Sequence, residues 1–255
     1  MNLQNNKLNI ITSCYSNLNC SRCIIDNSIP VVETNFNKRK LHTIFDFFKN
    51  QGVRSASFMG GEPLMNSYLL LETMALASNY FQHISLLTNG ILLDKYLLDR
   101  MIEIGLNTIK FSILSAKDDE YAKLAGLNRP VLVPKKMIAE ASKRQNLEVI
   151  LYFPIFDGKK EFENFNELLD ELSINKLTFI TTEEHQFQNI DFYRNISKTA
   201  SLARKDDYLE IYDTNKYSIG FFDIISYIKT EDRFYLYPDM NVRTSISVED
   251  SLFVI

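Results

Sequence analysis

Short β-rich runs alternate with longer helical patterns through the first 185 residues of this 255-residue chain, and that alternation constrains the fold most. Candidate strands fall at 8–13, 54–59, 83–88, 108–114, 147–155 and 176–182. Helical patterns at 34–51, 65–81, 93–105, 134–145 and 161–173 carry apolar residues at three-to-four spacing between them. Leu41, Ile44, Phe45 and Phe48 make one such stripe, suited to lie on a sheet. Strand–helix units of this length imply parallel pairing with right-handed crossovers. Six of them predict an α/β fold, an open partial (β/α)6 barrel rather than a closed eight-stranded one. After residue 185 the pattern changes: a helix near 193–205, alternating aromatic segments, then a hairpin signal from Phe234 to Arg243. The expected division is a core barrel over 1–185 and a small C-terminal cap over 186–255.

Bulk properties exclude several classes of function. Net charge is −4, and the longest basic run is Lys38-Arg39-Lys40, which reads as a solvated helix face. Nucleic-acid binders carry a broader basic footprint, so no nucleic-acid partner is expected. No apolar stretch approaches the roughly 18 residues that span a bilayer, and the N-terminus lacks a signal-peptide pattern. No membrane partner is expected, and the cytoplasm is the default location. A peptide or small-molecule substrate fits best.

The residues that carry chemistry sit at predicted strand ends, where parallel α/β folds gather their functional groups. Cys14 follows the first strand, with Cys20 and Cys23 close behind, and the sequence has no other cysteine. Gly60-Gly61-Glu62-Pro63 follows the second strand, Thr88-Asn89-Gly90 closes the third, and Ser112 lies near the end of the fourth. Three cysteines within ten residues cannot pair off into disulfides, and an odd cluster fits a reducing compartment. They leave a four-coordinate metal one ligand short, which points to an iron–sulfur cluster with an open iron. Structural zinc would want a nearby histidine. His42, His83 and His185 are all distant along the chain, and zinc would leave the Gly-Gly-Glu-Pro loop unexplained.

Taken together, the three-cysteine loop, Phe58-Met59-Gly60-Gly61-Glu62-Pro63-Leu64, Leu87-Thr88-Asn89-Gly90-Ile91-Leu92, Lys110-Phe111-Ser112-Ile113 and Asp119 through Gly126 resemble the radical S-adenosylmethionine (radical SAM) enzymes over residues 8–185. The resemblance implies that three cysteines hold a 4Fe–4S cluster whose fourth iron chelates the methionine part of SAM. An electron from the cluster then splits SAM, and a 5′-deoxyadenosyl radical abstracts hydrogen from an unactivated carbon. By the same resemblance Cys14, Cys20 and Cys23 are the cluster ligands. Gly60, Gly61 and Glu62 bind the SAM amino group, with the Glu62 carboxylate offered to the ammonium. Ser112 bonds the ribose or carboxylate, while Thr88 and Asn89 shape the pocket.

Two departures stand out. The usual spacing of the family has three and then two residues between cysteines, followed by Asn-Leu after the first; here it is five and then two, and Asn17-Leu18 follow Ser16. Cys14 is read as the first ligand on a lengthened loop, the alternative being a thiol packed in the core. Arg22 stands before the third cysteine, where an aromatic is common and where a guanidinium also stacks. At the other end, Leu236 through Ser245 resemble the hairpin opening the SPASM or twitch extensions of peptide-modifying relatives. Those extensions place a cysteine about where Thr244 or Ser245 stands, and no cysteine follows Cys23, so no thiolate-bound auxiliary cluster is expected.

The segment from Asp119 to Gly126 and the terminal hairpin look most like the peptide-modifying and molybdopterin-biosynthesis branches. The reading is hydrogen abstraction from a peptide or small natural-product precursor, with an external electron donor of flavodoxin or ferredoxin type. The barrel opens the sequence with no recognition domain before it, so a separate peptide-recognition protein is expected for a leader-bearing substrate. The rival readings are an activase acting on a partner protein and a non-catalytic descendant that binds SAM or a partner without a cluster. Thr181, Thr182, Glu183 and Glu184 end the sixth strand and stand either at the substrate cavity or on a solvated loop.

Overall fold

All six expected strands form, within two residues of the expected bounds: β1 (Lys7–Ser13), β2 (Ser55–Gly60), β3 (His83–Thr88), β4 (Leu106–Ser112), β5 (Glu148–Ile155) and β6 (Lys176–Thr181). The computed structural model describes residues 7–20, 23, 32–127, 131–155, 165–181, 191–206, 208–223, 233–244 and 252–253. Arg22, Thr182, Glu183, Glu184, His185 and Ser245 lie outside them. Helices α1 (Lys38–Asn50), α2 (Ser67–Ala77), α3 (Lys95–Ile104), α4 (Asp118–Leu124), α5 (Lys135–Ser142) and α6 (Phe165–Leu172) lie between the strands. No helix among the described residues is long and apolar enough to cross a membrane.

Alternation along the strands sorts the side chains onto two faces. Leu8, Ile10, Phe58, Leu86, Phe111, Leu151 and Phe179 belong to the main core, with Leu41, Ile44, Phe45 and Phe48 of α1 in the same cluster. The strands place Asn9, Ser57, Ser85, Thr108 and Thr178 in alternate positions, all buried. One face of the sheet therefore packs the main core, and the other mixes these buried polar groups with a smaller apolar cluster. Asn37 caps α1, its side chain accepting from Lys40 N at 3.0 Å. Asn37→Ala is expected to cost about 1 kcal/mol in urea unfolding.

The C-terminal residues take a form that the appendage reading did not anticipate. After α7 (Asp191–Thr199) come β7 (Ser201–Lys205), β8 (Leu209–Asp213), β9 (Ser218–Asp223), β10 (Phe234–Leu236), β11 (Val242–Arg243) and β12 (Leu252–Phe253). All join one open sheet, in the order β12-β11-β10-β1-β2-β3-β4-β5-β6-β9-β8-β7. Pairing is parallel from β10 through β1 to β6 and on to β9, and antiparallel beyond both. The segment thus extends both edges of the sheet. Burial is the cause at one edge, where the Phe234 ring meets Phe48 edge-on at 5.0 Å. The hairpin forms as expected, Tyr235 opposite Arg243 and Leu236 opposite Val242. The helix expected over 193–205 stops at Thr199. Past Ile196 a longer helix would bury little, since Leu202 is 52% exposed, and residues 201–205 instead satisfy their backbone by pairing with β8.

Candidate active site

The loop after β1 is fixed by contacts from the ends of β2 and β3 and from the C-terminal end of α4. The Gly61 N–H donates to Ser13 O at 3.0 Å and the Glu62 N–H to Tyr15 O at 2.7 Å. The approach is so close that a Cβ on Gly60 would run into Ser13 O, and one on Gly61 into Tyr15 O. Gly60 also sits at φ +143°, a conformation that favours glycine. Further along, Asn89 Nδ2 donates to Asn17 Oδ1 at 2.7 Å. At the far end the Asn19 N–H donates to Ala125 O at 3.0 Å, and Gly126 packs so tightly that a Cβ there would strike Asn19 O. The segment from Asp119 to Gly126 is therefore a clamp on the cysteine loop.

Glu62 is the hub beneath this loop. It is 1% exposed, and its Oε1 accepts from Thr88 Oγ1 at 2.6 Å and from Leu64 N at 3.0 Å. Its Oε2 accepts from Asn89 N at 2.8 Å, while Thr88 Oγ1 in turn accepts from Gly90 N at 3.0 Å. Burial pushes the Glu62 carboxyl above the usual carboxylate range, against these bonds, which favour its charge. The carboxylate offered in sequence to the SAM ammonium is thus engaged in tying β2 to β3. Ser112 is half-buried at the end of β4, on the face opposite Phe111 and Ile113, with Tyr152 beside it on β5. Thr181 is fully buried.

None of the three cysteines forms a disulfide; Cys14 and Cys20 are partly buried and Cys23 is exposed. Cys14 packs against Ile11, Tyr235 and Tyr237, alongside Val32 and Met59. Burial raises its thiol above the usual range. Above it the terminal hairpin is locked: the Arg243 guanidinium forks onto Asp239 at 3.2 and 2.8 Å and lies 4.3 Å from the centre of the Tyr237 ring. Ser16, at the position the family spacing gives to the first ligand, is exposed, and its Oγ accepts from Leu18 N at 3.1 Å. Among the described residues no three His, Cys, Asp or Glu side chains are gathered as a metal site. The structure places Cys14 and Cys20 on the clamped loop without drawing the three sulfurs together.

Residues 10–172 match the Radical SAM superfamily. The chain belongs to the radical SAM superfamily. It is 26% identical over 192 residues to a GTP 3′,8-cyclase of Chlorobaculum tepidum, covering 71% of this chain and 54% of that protein. It is 28% identical over 131 residues to a PqqA peptide cyclase of Granulibacter bethesdensis, covering 50% of this chain and 33% of that one. The chain thus spans about half or less of the length of these relatives. In fold it is similar to SuiB of Streptococcus suis, solved bound to the precursor peptide SuiA. The TM-score is 0.70 at 14% identity, over 99% of this chain and 62% of SuiB.

Radical SAM proteins use a 4Fe–4S cluster and SAM, and two features of this chain fit that pair. The glycine-tight loop carries thiols that form no disulfide. Two buried donors, Asn17 Nδ2 on the loop and Tyr121 Oη on the helix that grips it, have no hydrogen-bond partner. Donors left without acceptors beside a thiol loop suit thiolate sulfur or a carboxylate. Sequence reading gave no role to Asn17, Asn19, Tyr121 or Gly126. The available signal was Gly126 itself, one of only 8 glycines.

Proposed function

We propose that this chain is a radical SAM enzyme that abstracts hydrogen from a peptide. Cys14, Cys20 and Cys23 would hold the cluster, which when bound supplies the electron that cleaves SAM. The observation that carries the reading is the clamp: two strand ends and the end of α4 converge on one thiol-bearing loop. Such a construction fixes where the ligands start and excludes slack at the open side of the sheet. Gly60 and Gly61 hold the loop by backbone, Thr88 and Asn89 hold Glu62, and Ser112 stands ready to bond SAM from β4. The likeness to SuiB extends past the core through the terminal hairpin, which favours a peptide over a free nucleotide. An external flavodoxin- or ferredoxin-type donor would supply electrons, and a separate recognition protein would present a leader-bearing substrate.

The test is anaerobic reconstitution, followed by dithionite and SAM, with iron, sulfide and 5′-deoxyadenosine measured. Cluster and deoxyadenosine should form in the wild type and be lost in Cys20→Ala. Iron-free protein that leaves SAM intact would instead identify a binding protein on this fold, the reading that the ungathered sulfurs and Ser16 favour.

A further inference from the structure

We propose that Tyr121 is a positioning residue for the cluster: its hydroxyl donates a hydrogen bond to the Cys20 sulfur once that sulfur is a metal-bound thiolate. The inference rests on Cys20 being a ligand, as proposed above. Tyr121 is fully buried on α4, and its Oη has no partner. A buried hydroxyl left without a partner is costly, so its retention calls for an acceptor that arrives later. One turn onward, the same helix grips the loop through Ala125 O and Gly126, at the residue just before Cys20. Cys20 and Glu62 are the anionic groups that act on the hydroxyl, after burial, to hold it well above the usual phenol range. Glu62 already accepts from three donors, and the proposal assigns the hydroxyl to the Cys20 sulfur, next to the residue that α4 grips.

The bond has a consequence beyond placement. Hydrogen bonds to cluster sulfurs set the reduction potential. A donor stabilises the reduced, more negative cluster more than the oxidised one, so Tyr121 makes the cluster easier to reduce. A phenylalanine keeps the ring and removes only the donor.

Wild type and Tyr121→Phe are compared in two states. As apo-protein, the variant should melt at the wild-type temperature or higher, because an unpartnered hydroxyl has been removed. After reconstitution its ratio of reduced to oxidised cluster should be about tenfold lower at a fixed potential, which is a shift of about 59 mV for one electron, followed by electron paramagnetic resonance. Loss of iron from a variant with intact apo stability also supports the proposal, since the bond then holds the ligand itself. An unchanged potential at full iron content overturns it. So does a destabilised apo-protein, which would mean that the hydroxyl has a partner within the fold. Failure of the wild type to take up any iron would overturn the reading of Cys20 as well, and so is distinguishable from failure of Tyr121 alone.

Discussion

Glu62→Ala is expected to lose on the order of 3–6 kcal/mol of stability, more than any other single change in the SAM-side loops. The carboxylate accepts from the Thr88 hydroxyl and from the N–H groups of Leu64 and Asn89, all within a site that excludes water. Its removal strands two buried backbone donors and a hydroxyl, each worth roughly 1–3 kcal/mol when left unpaired. Glu62→Gln keeps one oxygen but turns an NH2 toward a donor, so its loss should be intermediate. Urea unfolding of the three proteins measures the series. The backbone bond from residue 62 N to Tyr15 O survives the substitution, so iron uptake should weaken only as far as the loosened ends of β2 and β3 let the cysteine loop move. An alanine variant within 1 kcal/mol of wild type would show that the strand ends hold together without the hub.

Local periodicity carried most of the fold. Leu41, Ile44, Phe45 and Phe48 announce a helix that lies on a sheet, and those four are its buried residues. The strand-end placement of Gly60, Thr88 and Ser112 was likewise readable, because parallel units fix which end of each strand carries a functional loop. What was not readable is contact across long separations. Leu8 pairs with Phe234, and no local pattern says that a strand near the C-terminus will lie beside the first. The same limit hid the use of Glu62. A glutamate after two glycines looks free to meet a ligand, and only the third dimension shows Thr88 and Asn89 already in its reach. Nothing in the sequence singles out Tyr121 within its segment, and only the absence of a partner for its hydroxyl marks it out.

Cys14→Ala is expected to abolish cluster assembly while costing the apo-protein only about 1 kcal/mol. The small cost follows from its setting, since the thiol is half-buried against Ile11, Tyr235 and Tyr237 and alanine leaves a modest gap. The large effect follows from the backbone. Cys14 comes directly after Ser13, held by Gly61, and Cys20 comes directly after Asn19, held by Ala125. The lengthened loop thus presents one thiol from each of its two pinned ends. Ser16 lies between them, exposed, with its hydroxyl already accepting from Leu18 N. A neutral hydroxyl is also a weaker iron ligand than a thiolate. Ser16→Ala should therefore retain the iron and sulfide of the wild type. The reverse pattern, iron kept in Cys14→Ala and lost in Ser16→Ala, would assign the first ligand to Ser16. Cys14 would then serve the packing of β1 against the Tyr237 hairpin, where burial already favours the neutral thiol.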